Sequence, residues 1–263
     1  MNGLLAKAWR DHRRTLTGFG IGLVLTELLY MAVYPAMRDS AADLRAMMEN
    51  LPEAFRQLFG EDIASPEGYL RSQLFGELGL ILFLVVAIGS GARAIAGEEE
   101  ARTLDLLLAT PARRAQVLRS KAIALVVLIT TLGAIAFAAV LVFGPAFDLH
   151  VDVFDLATAS LMLVLTSIAF ASIALAIGAA TGHRSAAIAV TTGTAALMYV
   201  VNALGVTVEA LEPFRPLSLF RWYLSPLLLT GGLAPVNIAV LLAVAAIAYA
   251  AAHVRFGRRD LAS

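Results

Sequence analysis

The chain has 263 residues, of which 59% are hydrophobic and 15% are charged, and its mean hydropathy is +0.79. A soluble domain of this size carries roughly a quarter charged residues, so this composition argues against a soluble fold and indicates a membrane protein. The net charge of zero gives no indication of a nucleic-acid partner, and the absence of cysteine excludes disulfides, thiolate metal sites and cysteine nucleophiles.

Six apolar stretches are long enough to cross a bilayer, whose hydrocarbon core of about 30 Å needs roughly twenty helical residues. They lie at 16–37, 74–95, 122–143, 156–180, 186–208 and 234–254. The first stretch is too long for a signal-peptide core and no convincing cleavage site follows it, so we expect it to be retained. With no internal repeat or low-complexity linker, the sequence predicts an all-α fold with one transmembrane domain over 1–263.

The basic residues predict the orientation of this domain. With six spans both termini share one side, which receives fourteen of the twenty Lys and Arg residues, against six on the other side. Because loops rich in Lys and Arg stay in the cytoplasm, we predict that both termini are cytoplasmic.

Two segments outside the spans have amphipathic patterns. Residues 1–15 place apolar side chains opposite basic ones, which predicts an interfacial helix on the cytoplasmic membrane surface; a simple basic flank of the first span is the alternative. The outer loop 38–73 has apolar residues at helical spacing over 44–59. That stripe is more typical of packing against span ends or the bilayer surface than of a ligand site.

The cytoplasmic loop 96–116 contains the most informative segment. Acidic residues at 98–100 suit the first turn of a helix, where carboxylates meet the positive end of the helix dipole. An apolar ridge of Leu104, Leu107 and Leu108 follows, and Thr110 and Pro111 end the helix. Since three glutamates beside anionic lipid would be repelled, we expect a partner protein to cover the ridge.

The segment 209–233 is apolar and aromatic, but its prolines and Arg221 prevent it from spanning the membrane. Trp222 and Tyr223 suit the outer aromatic belt. Short half-inserted helices are therefore predicted before the last span, provided that protein buries their ends.

Two polar residues inside spans are candidates for the translocation path. Glu27 stands in the middle of the first span, where an ionised carboxylate costs at least a few kcal/mol. Substrate contact, proton coupling and a structural hydrogen bond to a neighbouring helix all remain open for Glu27. Asn202 in the fifth span is the second candidate, with helix–helix hydrogen bonding as its alternative role.

Three stretches resemble type-2 ABC export permeases, a family of bacterial inner-membrane proteins, and the resemblance covers essentially the whole chain. They are Gly97-Glu-Glu-Glu-Ala-Arg-Thr-Leu-Asp-Leu-Leu-Leu-Ala-Thr-Pro111, Pro216-Leu-Ser-Leu-Phe-Arg-Trp-Tyr223 and Arg258-Arg-Asp-Leu261. The first departs from the family pattern only in Arg102, where glycine is common. In the family this segment is a coupling helix that sits in a cleft of the ATPase.

The resemblance implies specific roles and partners. The residues implied to couple to the ATPase are Glu98, Glu99, Glu100, Thr103, Leu104, Leu107, Thr110 and Pro111. The outer half-helices, here Phe220, Arg221, Trp222 and Tyr223, are implied to lie above the translocation path. Family members work as two permeases with two ATPases. Because this sequence lacks G-x-x-x-x-G-K-[ST], we expect ATP and Mg on the partner ATPase and no cofactor or metal on this chain.

Other functions are less well supported by the sequence. A secondary transporter usually has several intramembrane ionisable groups or broken helices in matching halves, whereas only Glu27 lies deep here. A membrane enzyme needs converging catalytic residues, but the four histidines lie at span ends on opposite sides. A scaffold or sensor subunit stays open, and so do the substrate and the choice between homodimer and heterodimer.

Overall fold

The computed structural model of the chain describes residues 2–40, 65–101, 114–224, 228–229, 232 and 234–258. Within these ranges the backbone forms helices and turns without any strand. Six of the described helices are long and apolar enough to cross a membrane. The predicted all-α fold with six spans is therefore confirmed.

The helices follow the predicted order of spans. In chain order they are α1 (Asn2–Asp39), α2 (Pro66–Glu100), α3 (Arg114–Phe143), α4 (Val153–Thr181), α5 (Arg184–Leu204), α6 (Leu219–Tyr223) and α7 (Pro235–Arg258). Only α6 among them is too short to span, and the 3-10 segments Gly144–Phe147 and Glu209–Leu217 follow α3 and α5. Six spans place both termini on one side of the membrane, called here the termini side; the opposite side is the far side.

Three of the predicted segments outside the spans can be compared with the described residues. Helix α1 is continuous from Asn2, so residues 2–15 are helical and lead directly into the apolar part that begins at Thr15; their interfacial position stays a prediction. The predicted amphipathic stretch 44–59 lies outside the described residues. So do 102–113, which include most of the predicted coupling helix.

Helix α4 forms the centre of the bundle and packs against α2, α3, α5 and α7. In the most apolar 18-residue stretch of α4, 61% of the residues are buried. In the corresponding stretches of α5 and α7, only 17% are buried. Glycines permit its closest contacts: a Cβ on Gly91 of α2 would lie 2.3 Å from the Ala171 carbonyl oxygen, and one on Gly133 of α3 would lie 2.2 Å from Val164 Cγ2. Small residues at such crossings let helices approach closely in a membrane.

Helix α2 is α-helical in its middle and π-helical near both ends, over Leu70–Leu78 on the far side and Arg93–Gly97 on the termini side. A Cβ on Gly79, directly after the first π-helical segment, would lie 2.1 Å from the Leu74 carbonyl oxygen, so this geometry requires glycine. Because π-helical turns occur frequently at functional sites, both ends of α2 are candidates for a functional role.

Candidate functional site

The termini-side end of α2 carries the three glutamates predicted to begin the coupling helix. Glu98 forms an ion pair with Lys121 of α3, and both side chains are nearly buried, at 13% and 12% exposure. Glu100 accepts a hydrogen bond from the backbone N–H of Arg184, the first residue of α5, at 2.8 Å. Glu99 is half-buried. Two of the three glutamates thus join the end of α2 to two other spans.

These contacts lie at the N-terminal end of the predicted coupling segment. The helical turn of Glu98–Glu100 ends at Ala101, whose N–H donates to the Gly97 carbonyl at 3.2 Å. The remaining predicted coupling residues, Thr103, Leu104, Leu107, Thr110 and Pro111, lie outside the described residues. Their role therefore stays a prediction.

A groove of about 730 Å³ runs between α2 and α5. Its wall is mainly apolar and includes Ile81, Leu84 and Val85 of α2 with Ile188, Ala196 and Val200 of α5. Charged residues lie towards its ends: Glu77 towards the far side, and Arg93 with Arg184 towards the termini side. The charged side chains that line the groove are therefore acidic at one end and basic at the other, separated by apolar surface.

Neither candidate path residue lines this groove. Glu27 is 1% exposed and lies on the buried face of α1 with Leu23 and Met31, in the helix that packs on α3. Its Oε2 atom has no hydrogen-bond partner among the described residues. The same is true of Asn202 Oδ1 in α5. Neither of these two oxygen atoms therefore identifies a partner among the described residues, and the roles of Glu27 and Asn202 remain predictions.

The four aromatic and basic residues predicted for the outer region divide into two pairs. Phe220 and Tyr223 are buried, and Phe220 stacks on Phe170 of α4 with ring centroids 5.4 Å apart. Arg221 is exposed and lies over the ring of the partly exposed Trp222. The indole N–H of Trp222 donates to the Pro216 carbonyl at 3.0 Å.

Tyr223 connects α6 to the far-side π-helical segment of α2. Its hydroxyl donates to the Phe75 carbonyl at 2.6 Å. Burial raises the pKa of Tyr223 well above its ordinary value, so the hydroxyl keeps its proton and remains a donor. A second tyrosine, Tyr69 at the start of α2, donates to the Tyr30 carbonyl of α1 at 2.7 Å.

Sequence reasoning did not identify Lys121, Arg93 or Arg184 as site residues. All three were counted only as basic residues that set the orientation. Their sequence signal is their position at the same membrane boundary as the glutamates of loop 96–116, where opposite charges near span ends are expected to meet. Tyr69 carried no signal that distinguishes it from other aromatic residues at a span end.

Taken with six spanning helices, these features define a polytopic α-helical membrane protein whose second span is joined to the third and fifth spans by charged contacts. A family model described as an ABC-2 family transporter protein matches residues 3–261, and the chain belongs to this family. No curated protein matches the sequence. Family membership confirms the resemblance, makes the chain a multi-pass permease of an ABC transporter rather than an enzyme, and implies association with ABC ATPase subunits.

Proposed function

We propose that this chain is the permease subunit of an ATP-driven exporter and couples to separate ATPase subunits that bind ATP and Mg. The complex contains two ATPases and a second permease, either another copy of this chain or a paralogue. Family membership supports the permease role. The lack of a phosphate-binding G-x-x-x-x-G-K-[ST] sequence supports placing ATP hydrolysis on a different polypeptide.

The observation that carries the coupling role is the double attachment at the start of the loop. Glu98 joins α2 to α3 through Lys121, and Glu100 joins α2 to α5 through the backbone of Arg184. A partner that displaces the following segment therefore pulls on three spans at once. Salt bridges and charge-assisted hydrogen bonds suit this role because they fix direction as well as distance.

Substitutions in the predicted leucine ridge test whether this loop binds the ATPase. Burying a leucine in a partner cleft contributes about 1.5–3 kcal/mol, so Leu104→Asp or Leu107→Asp should weaken ATPase binding by at least about tenfold. Co-purification of the ATPase with each variant measures this loss. Arg102→Ala is the matched control in the same loop and should retain the partner. Unchanged ATPase binding and transport in both leucine variants would show that the loop is not the coupling element.

The excess of Lys and Arg on the termini side supports cytoplasmic termini in a bacterial inner membrane. The cysteine-free sequence makes a direct test simple. A single cysteine at Glu61 should react with an impermeant thiol reagent in intact cells, whereas one at Ser263 should react only after permeabilisation. Labelling of position 263 in intact cells would show that the orientation is the reverse of the predicted one, and cytoplasmic coupling would lose its basis.

A secondary transporter that uses Glu27 is a weaker candidate. Glu27 lies on the face of α1 that packs against other helices, and it does not line the groove between α2 and α5. A carboxylate that exchanges protons with a transport pathway needs access to water. A scaffold or sensor subunit would keep the coupling loop but lack ATP-dependent transport, which assays on a reconstituted complex can distinguish.

A further inference from the structure

Two arginines from different spans converge at the termini-side end of the groove between α2 and α5. A Cβ on Gly97 would lie 3.2 Å from Arg93 Cγ and 4.0 Å from Arg184 Cδ, so both side chains pass over the same glycine. Arg93 Nε donates to the Gly89 carbonyl within its own helix. Arg184 Nε is buried and has no hydrogen-bond partner in the part of the chain that the structure describes.

Within the described residues, neither guanidinium forms an ion pair with a carboxylate. The Glu100 carboxylate accepts a hydrogen bond from the backbone N–H of Arg184 rather than from its guanidinium. Two cations held side by side repel each other, and an anion between them would remove that repulsion. Guanidinium groups match phosphate oxygens especially well because they donate several hydrogen bonds in one plane.

The rest of the groove indicates what kind of anion fits. Glu77 and Arg93 are sixteen positions apart in α2, or about 24 Å at 1.5 Å per residue. The apolar wall between them includes Ile81 and Val85, each 55% exposed. One leaflet of hydrocarbon is about 15 Å thick, so this surface is long enough for an acyl chain. A free phosphate ion would leave the apolar wall uncovered.

We propose that the groove between α2 and α5 binds an anionic phospholipid from the leaflet on the termini side. Its phosphate lies between Arg93 and Arg184, and one acyl chain runs along the apolar wall towards the membrane centre. The arginines stand at the ends of the apolar stretches of α2 and α5, where a membrane places its headgroups. Among the charged residues that line the groove, the acidic one, Glu77, lies towards the opposite end, which favours this direction for the lipid.

Native mass spectrometry of the purified full chain, titrated with phosphatidylglycerol, phosphatidylcholine or diacylglycerol, tests this proposal. We expect phosphatidylglycerol to bind most tightly and diacylglycerol, which has no phosphate, least tightly. Arg93→Gln and Arg184→Gln should each weaken phosphatidylglycerol binding by about tenfold, equivalent to about 1.4 kcal/mol. Arg119→Gln is the matched control, because Arg119 lines a separate groove of about 670 Å³ between α3, α4 and α7; it should leave this binding unchanged.

A further variant keeps both arginines, so the proposal can still be tested if the arginine variants misfold. Ala196 is an exposed residue of the groove wall, and Ala196→Trp should fill the groove and reduce phosphatidylglycerol binding to a similar extent. Equal phosphatidylglycerol binding by the wild type, the Arg93 and Arg184 variants and Ala196→Trp would overturn the proposal. Displacement of the lipid by equimolar inorganic phosphate would also overturn it, in favour of a compact-anion site. Lipid-free permease dimers would show that a second copy covers the groove.

Discussion

The two ends of α2 are both π-helical, but they are held by different chemistry. On the far side, the neutral hydroxyls of Tyr69 and Tyr223 donate to backbone carbonyls of Tyr30 and Phe75. On the termini side, the carboxylates of Glu98 and Glu100 bind α3 and α5. Breaking a buried neutral hydrogen bond lowers the stability of the fold, because a polar group is left buried without a partner. A buried ion pair adds little net stability, because the desolvation of its two charges offsets their attraction. The far-side end therefore stabilises the bundle, and the termini-side end connects it to the loop.

The largest effect on stability is expected at Tyr223. Tyr223→Ala removes a fully buried ring and its hydrogen bond to Phe75, which should cost about 3 kcal/mol. Tyr223→Phe keeps the ring but leaves the Phe75 carbonyl without its partner, at a cost of about 1–3 kcal/mol. Thermal unfolding of the purified permease measures both effects. Arg221→Ala, an exposed position in the same helix, is the control and should unfold like the wild type.

If the unfolding temperatures of Tyr223→Ala and Arg221→Ala agree within a few degrees, the far-side end does not stabilise the bundle. The proposed difference between the two ends of α2 would then be wrong. A loss of ATP-coupled transport without any loss of stability in Tyr223→Phe would instead place the far-side end in the transport cycle.

An intermediate effect is expected at the Glu98–Lys121 pair. Lys121→Gln leaves a nearly buried carboxylate without its cation and should cost about 2 kcal/mol. The double variant Glu98→Gln with Lys121→Gln contains no unpaired charge, so its stability should return to within about 1 kcal/mol of the wild type. ATP hydrolysis by the partner subunits should nevertheless be uncoupled from transport, because the ion pair no longer links α2 to α3.

The control for this pair is Arg255→Gln, an exposed basic position on the same side in α7. It should change neither stability nor coupling. Normal coupling in the double variant would show that the ion pair only stabilises the fold, and the two ends of α2 would then differ in chemistry but not in role.

The smallest effect is expected at Glu27. Since this side chain is buried among helices and does not line the groove, Glu27→Gln should preserve transport per folded complex. Removing an ionisable group from the middle of a span should also leave stability equal or raise it by up to about 1 kcal/mol. Thermal unfolding and substrate-stimulated ATPase activity measure the two quantities. Loss of transport at unchanged stability would place Glu27 in the translocation path.

The sequence predicted the number of spans because hydropathy is a local property, but it underestimated several helix lengths. Helix α2 begins at Pro66 and ends at Glu100, whereas the apolar stretch covers only 74–95. Hydropathy marks the part of a helix inside the bilayer, and polar turns continue the helix beyond it. The π-helical segments were not predictable, because glycines such as Gly79 are equally compatible with ordinary close packing.

The long-range contacts of the candidate site were also beyond prediction. Tyr223 and Phe75 are 148 positions apart, and Arg184 and Glu100 are 84 positions apart. Charge and aromatic patterns identify which residues lie at a membrane boundary, but not which neighbours they meet around the bundle. Lys121 was therefore assigned to orientation alone, although it is the residue that pairs with Glu98.

The most direct test of the central claim, that the loop after α2 contacts a separate ATPase, is site-specific cross-linking in the cysteine-free chain. A photoactivatable thiol reagent is attached to a single cysteine at Ala101, which is exposed and directly follows Glu100. The matched control is a cysteine at Ser40, next to the far-side end of α1. We predict a cross-link from position 101 to the ATPase subunit and none from position 40. A cross-link from position 40, or from neither position in complexes that hydrolyse ATP, would contradict coupling through this loop.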